Sequence, residues 1–512
     1  MFIGSLCLLV LWSPPLLAIE YEELNQLPAA CLDNAVKSES VDELTPCFSS
    51  TLSNNPNFLS VMRSAYHQFS ALSWPLKNNS IGMPNYEFKG LQFASAGEPL
   101  QLKDNFPVWQ SWPTMDQFKY QGSSNWDTRE ITIPKACDYL FKTDKDNNSA
   151  YKKFIKQYSQ VPRGPKIEIL SDYRNAMHQV LLDTNNKSVR YQVYMNKPAF
   201  DYLNNTARDK ALIFPKGGIV EGQNMRGAII VKAAWKILTE REQKDYHKSF
   251  ALVTSDKDRV DLCSLEVVGL SALHIANKNN NIVDSPEGSN EWSWATYEFK
   301  GNAPVSIFKD EKISLTQDQI EPVVGDSWGF FNLAWQQVKK DCSARSSDDK
   351  SVRWDPNLPT CPINKYISQC EDPSDAGCTH SNLVSSSPEQ LEYDPKYGEL
   401  FNNDISTMFS GYVWKNYQII NSQWLNNCEI GCTFEPKVLL NPILEPFIDP
   451  LKGDINSRSC MDCHATANMK RLGNPDPVST DYIFMSRKAT QAIPINLYGN
   501  KIDLSIFNTK GK

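Results

Sequence analysis

The sequence predicts an α+β fold, in which a strand-rich central region with long loops and disulfides precedes a mainly helical C-terminal region. Two patterns support this prediction. Apolar stretches with strand periodicity lie between residues 165 and 345, and helix-forming residues interrupted by prolines dominate after residue 400. Hydrophobic residues make up 41% and charged residues 22% of the chain, which argues against a wholly disordered or multi-span membrane protein.

Changes in composition along the 512 residues predict five segments. They are a signal peptide (1–18), an N-terminal helical and loop region (19–130), a strand-rich core region (131–345), a Cys/Ser/Pro-rich excursion (346–399) and a helical C-terminal region (400–512). The fourth segment lacks periodicity, which is typical of a disulfide-pinned excursion or a linker.

The first segment has the features of a secretory signal. Residues from Phe2 to Trp12 are almost continuously apolar, and small residues end at Ala18, where cleavage is expected. No lysine or arginine precedes the apolar run, so an uncleaved anchor or a start further upstream remains an alternative. Because a span needs about 20 apolar residues, we expect no stable membrane span after cleavage and a periplasmic or secreted protein.

Four stretches of the central region have strand character. The strongest is Leu265–Ala276, whose apolar residues on both alternating faces indicate a strand that is buried on both sides. Ser188–Tyr194 and Trp294–Phe299 are further strand candidates. Gly227–Lys232 is predicted to be a strand that leads into a helix-like stretch, Ala233–Leu238.

The use of cysteine supports export. Of the 13 cysteines, Cys7 lies in the signal segment, and an even number remains. An even number of cysteines in an exported chain indicates disulfides. The local candidates are Cys31–Cys47, Cys428–Cys432 and one pair among Cys361, Cys370 and Cys378. The spacing leaves the connectivity open.

The motif that carries chemistry is C-x-x-C-H at Cys460, Cys463 and His464, the attachment signature of c-type haem. On a helix, positions i, i+3 and i+4 share one face, so two thiols can bond the two vinyl groups of one porphyrin while His464 binds the iron as its proximal ligand. The composition gives roughly 0.004 chance matches to this motif in the chain. The sequence therefore predicts one covalent haem c. A redox-active or structural disulfide between the two cysteines is the alternative.

The residues around the motif predict the helix that this arrangement needs. Asp454 or Asn456 can cap its start, and the alanine, methionine and basic residues of 465–471 favour its continuation. Gly473 and the prolines after it are typical of a helix end.

Several stretches resemble a family of large exported bacterial proteins described as cytochrome c family proteins, which have a single C-terminal C-x-x-C-H motif. The stretches are Pro107–Thr114, Phe214–Ile219, Val231–Leu238, Val267–Lys278, Trp292–Pro304, Asn441–Glu445, Ser459–His464 and Asp481–Ala489. The resemblance implies one covalent haem and an exported location, without an established reaction. The family usually has His or Gln after T-[F/Y]-E, whereas this chain has Phe299 after Glu298, so any ligand or polar role at that place is lost.

A six-coordinate haem needs a second axial ligand, such as His or Met. His274 is the candidate, because it lies in the predicted buried strand and in a stretch that resembles the family. A buried histidine is more often a hydrogen-bonded core residue, so core packing is the main alternative. Met469 follows His464 too closely to reach across the ring, and Met485 lies in an apolar run. An open distal face would instead allow chemistry on small molecules.

These observations favour electron transfer over substrate turnover. The alternatives are a haem enzyme or sensor with an open, peroxidase-like distal site, or an envelope binding protein with an accessory haem. A remote alternative is a serine hydrolase, because Gly325-Asp326-Ser327-Trp328-Gly329 matches G-x-S-x-G. Pro322 argues against it, because a proline interrupts the strand that should precede such a turn.

The charge balance limits the partners. The formal net charge is −7 and no run of five or six basic residues occurs, so nucleic acid is not an expected partner. A redox partner protein is implied by electron transfer, but the sequence identifies neither that partner nor the oligomeric state.

Overall fold

The structure is a computed structural model. It describes residues 58–76, 81–82, 106–115, 126, 137, 167–170, 181–185, 187–206, 212–220, 223–225, 227–254, 263–278, 292–309, 312–314, 321–331, 385–386, 402–403, 405–407, 409, 412–426, 433–436, 439, 441–445, 460, 464, 468–471, 474–479 and 481.

An eight-stranded, mostly antiparallel sheet dominates these residues. Its strands are β1 (Ile167–Leu170), β2 (Arg190–Met195), β5 (Ile229–Ile237), β6 (Lys248–Thr254), β7 (Cys263–Lys278), β8 (Trp292–Phe299), β12 (Tyr417–Asn426) and β13 (Thr433–Glu435). The smaller sheets contain β3 (Gly218–Val220), β4 (Gln223–Met225), β9 (Val305–Lys309), β10 (Lys312–Ser314), β11 (Ser385–Ser386), β14 (Asn468–Arg471) and β15 (Asn474–Ser479). Two helices are α1 (Phe58–Leu72) and α2 (Lys197–Asn205), and 3-10 turns are formed by Trp109–Ser111, Glu242–Lys244 and Val413–Asn416.

Strand β7 is the centre of the large sheet. Val268 and Gly269 pair with both β5 and β6, and residues 272–277 pair with both β5 and β8. Strand β5 therefore lies along one edge of β7, while β6 and β8 follow each other along the opposite edge. The sheet continues from β5 to β2, from β8 to β12 and β13, and from β6 to β1, which is the one parallel pairing in this sheet among the described residues.

One face of the sheet, which we call the helix face, is covered by α1. The Tyr297 hydroxyl of β8 donates a hydrogen bond to the carbonyl of Ala65 at 2.6 Å. The Phe69 ring stacks on Tyr297 with the ring centroids 4.7 Å apart. Leu273 and Ile275 of β7 lie in the same buried apolar cluster.

The opposite face, which we call the CxxCH face, carries His274, Ala276 and Lys278 of β7 beside Thr296 and Trp294 of β8. It has two apolar clusters of its own. The first includes both tryptophans of β8 and the buried side of α2, and the second includes Ala234, Ala272 and residues 328–331. Burial on both faces explains why the predicted strand Leu265–Ala276 is apolar at alternate and intervening positions. That prediction is confirmed by β7, as are the strand candidates that overlap β2 and β8.

The predicted α+β fold with a helical C-terminal region is wrong for the described residues. After residue 400 these form β12, β13 and the β14–β15 hairpin, whereas helical backbone is limited to residues 402–403, 405–407, 413–416, 460 and 464. The helix prediction relied on the propensities of residues 465–471. Met469 and Arg471 instead pair across the hairpin with Val478 and Asn474. Cross-strand pairing therefore overrides the weak helical preference of these residues. The glycine at position 473 did not distinguish the two structures, because glycine is as typical of a hairpin turn as of a helix end.

The helix-like interpretation of Ala233–Leu238 is also wrong. Strand β5 runs unbroken from Ile229 to Ile237. It pairs with β2 on one side and β7 on the other, and Ala233, Ala234 and Trp235 are fully buried there. Pairing on both edges outweighs the intrinsic preference of alanine for helix.

A disulfide joins Cys137 to Cys263 at the start of β7. The two cysteines are 126 residues apart. The sequence did not single out this pair, and the local candidate pairs lie outside the described residues. In the part of the chain that the structure describes, no helix is both long and apolar enough to cross a membrane.

Candidate functional site

The C-x-x-C-H motif lies on the CxxCH face. Cys460 and His464 have helical backbone, and Cys463 lies outside the described residues. Cys460 is buried and His464 is partly exposed. His464 stands four positions after Cys460, and residues at i and i+4 of a helix lie on the same side of it.

Cys460 lies in the first apolar cluster of the CxxCH face. The other buried members of this cluster are Met115, Met195, Ala199, Phe200, Leu203, Leu212, Phe214, Ala228, Ile230, Ala276, Trp292, Trp294, Ile420 and Leu439. The Sγ of Cys460 lies 3.6 Å from the carbonyl oxygen of Leu439. The first cysteine of the motif is thus held in water-excluding, largely aliphatic and aromatic surroundings.

His464 contacts Trp294 of β8. The centroids of the imidazole and indole rings are 4.2 Å apart and the ring planes are inclined by 50°. Trp294 sits in the middle of the sheet, where it pairs with Ala276 of β7 on one side and Gln423 of β12 on the other. The proposed proximal ligand therefore rests on a ring that the sheet holds in a fixed position.

His274 projects from the same face, close to Trp294. In the register of the sheet His274 is opposite Thr296, so Trp294 is its diagonal neighbour on β8. Lys232 of β5 is opposite His274 on the other edge. The sequence-predicted residues Cys460, His464 and His274 are thus brought to one face of one sheet.

The His274 imidazole faces a carboxylate. Its Nε2 lies 3.4 Å from Oε2 of Glu445, and both side chains are largely buried, at 6% and 13% exposed. Burial by itself would raise the pKa of Glu445, but the attraction of His274 and Lys232 and a hydrogen bond from the Asn441 N–H hold this pKa below its usual value. Glu445 is therefore ionised at neutral pH.

Asn441 fixes the turn that carries Glu445. Its Oδ1 accepts hydrogen bonds from the N–H groups of Ile443 and Leu444, at 2.9 and 3.2 Å. Its Nδ2 donates to Oγ1 of Thr296 and to the carbonyl of Tyr297, at 2.8 and 3.1 Å. Asn441 is fully buried, so one side chain both closes the turn and attaches it to β8.

Asp481 attaches the chain that follows the motif. It pairs with Lys278 at the end of β7, accepts a hydrogen bond from the N–H of Phe214 at 2.7 Å and another from Nε1 of Trp292 at 3.3 Å. Its backbone has a φ of +53°, a left-handed conformation that aspartate tolerates better than most residues. The segments before and after residues 460–464 are thus both attached to the CxxCH face.

Sequence reasoning did not predict roles for Asn441, Glu445 or Asp481. The Asn-Pro pair at 441–442 is typical of a turn and could have indicated that a polar side chain closes it. Asp481 carried no local indication, because its partners lie more than 180 residues earlier in the chain.

Phe299, which stands where the resembling family usually has His or Gln, lies on the helix face. It is buried there, and its ring stacks on Tyr246 with centroids 3.7 Å apart. Since Trp294 projects from the opposite face, residue 299 does not contribute to the surroundings of His464.

The G-x-S-x-G sequence does not lie in a nucleophile elbow. Residues 321–331 have neither the strand nor the helix that such an elbow requires, and Ser327 is exposed in irregular backbone. The backbone turns at Gly325 with a φ of +78°, a conformation that glycine adopts without steric cost.

Among the described residues, no three His, Cys, Asp or Glu side chains converge to hold a metal ion. A haem iron takes four of its ligands from the porphyrin, so it does not need such a cluster.

Comparisons of this chain with protein-family models, with curated proteins and with solved structures gave no match.

Proposed function

We propose that this chain is an exported c-type cytochrome-like protein that carries one covalent haem and transfers electrons. The observation that supports this most is that Cys460 of the C-x-x-C-H motif lies in the buried apolar cluster of one sheet face, while His464 contacts Trp294 of the same cluster. In this proposal Cys460 and Cys463 form the two thioether bonds, and His464 binds the iron as its proximal ligand. A bound haem would supply a one-electron ferric–ferrous couple.

The residues present fit such a group. Cys460 lies in a cluster of apolar side chains, which is the environment that the porphyrin ring requires. Trp294 offers a flat ring beside His464 and a buried indole N–H with no hydrogen-bond partner among the described residues. The donor set of two thiols and one imidazole in helical spacing is that of haem c.

The protein's own contribution is to orient the ligand and exclude water. Trp294 limits the rotation of the His464 ring by contact with it, and such outer contacts tune a metal ligand. The Asn441 turn and Asp481 hold the flanking chain to the sheet. The Cys137–Cys263 disulfide supports the export part of the proposal, since disulfides persist mainly in oxidising compartments.

His274 remains the candidate for the second axial ligand. Histidines that bind a metal commonly donate their other ring N–H to a carboxylate, and Glu445 lies beside Nε2 of His274. The same ion pair is equally compatible with a histidine that has no ligand role, so the spin state of the iron in a His274→Gln variant decides between the two.

A haem enzyme or sensor is the second candidate, and the polar group of Lys232, His274 and Glu445 on the CxxCH face favours it. Such a group could bind or protonate a small molecule at an open distal site. The absorption spectrum separates the two functions. For electron transfer we expect a low-spin reduced haem that carbon monoxide does not change, whereas a high-spin haem that binds carbon monoxide would favour the enzyme or sensor.

Mass spectrometry of the exported protein tests the proposal directly. We expect the peptide that contains Cys460 and Cys463 to gain the mass of one haem, and the Cys460→Ser/Cys463→Ser variant to lose it. A peptide whose mass corresponds instead to a disulfide between the two cysteines would contradict the proposal.

A further inference from the structure

Trp294 carries a hydrogen-bond donor that no described residue accepts. The residue is 5% exposed, and its Nε1 is buried without a hydrogen-bond partner in the described part of the chain. An indole N–H can only donate. Leaving it unsatisfied in the interior is unfavourable, so native proteins usually provide an acceptor.

The neighbouring tryptophan on the same strand shows how the fold satisfies an equivalent donor. Trp292 lies two residues earlier on β8, projects from the same face and belongs to the same apolar cluster. Its Nε1 donates to Oδ1 of Asp481 at 3.3 Å. A carboxylate is therefore the acceptor for one of two adjacent indoles, and the other indole has an equivalent need.

The donor without an acceptor among the described residues lies beside the motif. The Trp294 ring touches the His464 ring, and the first apolar cluster around it includes Cys460, Ala276 and Ile230, whose side chains offer no oxygen. Haem c carries two propionate carboxylates on the porphyrin that Cys460 and Cys463 would hold. A group attached at this site would bring a negatively charged acceptor to the surroundings of Trp294.

We propose that Nε1 of Trp294 donates a hydrogen bond to a propionate carboxylate of the haem. This inference rests on the proposed function. The hydrogen bond compensates part of the negative charge of the propionate, which otherwise stabilises the ferric iron. Trp294 is thus a positioning residue for His464 through its ring and a haem-binding residue through its N–H.

The variant Trp294→Phe tests the donor, because it keeps a six-membered aromatic ring at this position and removes the N–H together with the five-membered part of the indole. We expect it to gain one haem mass like the wild type but to have a lower reduction potential. Trp235→Phe removes another buried indole N–H that has no partner among the described residues but lies in the apolar cluster of the helix face, and it is the matched control, for which we expect a wild-type potential. A Trp294→Phe protein with the wild-type potential would overturn the inference. Trp294→Leu, which also lacks a donor, serves the same purpose if the phenylalanine variant does not fold.

A direct measurement uses the reduced wild-type protein with ¹⁵N-labelled tryptophan. The indole resonance that disappears in the Trp294 variants should exchange with solvent at least 100-fold more slowly than an exposed indole and lie downfield of it. If the Trp294 N–H exchanges as fast as an exposed one, the proposed hydrogen bond is overturned. If the haem mass is present in that protein, the proposed function still stands. Absence of the haem mass overturns both.

Discussion

Lys278 at the end of β7 and Asp481 form an ion pair whose side chains are 0% and 1% exposed. The pair lies on the CxxCH face, at the end of the sheet where Trp292 also donates to Asp481. It joins the chain after the C-x-x-C-H motif to the central strand, so the position of this C-terminal segment depends on one buried carboxylate.

We expect Asp481→Ala to lower the free energy of unfolding by about 3–5 kcal/mol, because it leaves the Lys278 ammonium buried without its partner charge. Urea denaturation measures this. The Lys278→Met/Asp481→Asn double variant should recover a large part of the loss, since it removes both charges while asparagine keeps an acceptor and tolerates the left-handed φ at position 481. If the single and double variants are equally destabilised, the buried charge is not the cause.

Asn441→Asp should destabilise the protein by about 2–3 kcal/mol, although the two side chains have nearly the same shape. The acceptor for Ile443 and Leu444 is kept, but the donor to Thr296 and Tyr297 is replaced by an oxygen that faces two acceptors. Thr296→Val removes one acceptor only and should cost about 1 kcal/mol. A loss in Asn441→Asp as small as in Thr296→Val would contradict this role of the amide.

His67 and His247 should make the protein less stable in mild acid. Burial, aided by Arg63 for His67 and Lys248 for His247, lowers the pKa of His67 to about 4 and that of His247 to about 3. Their pKa values in the unfolded chain are near 6.5, so below this pH the unfolded state binds protons that the folded state does not. Each histidine should therefore remove roughly 1.4 kcal/mol of stability per pH unit as the pH falls from 6.5 towards its folded pKa.

The variant His247→Gln isolates one of these two contributions. Glutamine can still donate to Oε1 of Gln110, which contacts Nε2 of His247 at 2.8 Å. Denaturation at several values between pH 5 and 7.5 should show that unfolding takes up about one proton fewer than in the wild type at pH 5, with the difference disappearing towards pH 7.5. An unchanged pH slope would mean that His247 is protonated in the folded protein.

Loss of the Cys137–Cys263 disulfide should cost about 2–5 kcal/mol, because the bond closes a long loop and so restricts the unfolded chain. The Cys137→Ser/Cys263→Ser variant, compared with the oxidised wild type in guanidinium denaturation, measures this cost. The reduced wild type should resemble the variant. Equal stability of the oxidised wild type and the variant would show that the disulfide does not restrict the conformations of the unfolded chain.

The strands of the centre were predictable because their determinants are local. Leu265–Ala276 is apolar at most positions on both of its alternating faces, a pattern that is typical of a strand with two covered faces. Strand periodicity likewise places the rings of Trp292 and Trp294, two positions apart on β8, on one face.

The C-terminal strands were not predictable in this way. Met469 and Arg471 are good helix formers, and their conformation depends on cross-strand partners in β15. The ring contact of His464 with Trp294 joins residues 170 positions apart, and local propensity contains no information on such a contact.

The sequence by itself determined the chemistry available, namely two thiols and one imidazole in the spacing of a haem motif and a long strand buried on both faces. Only the tertiary structure decided which groups surround that motif. Trp294, His274, Glu445 and Asp481 lie on the same sheet face as the motif, because sheet register and buried ion pairs are set by contacts between distant segments, whose free energy depends on mutual burial.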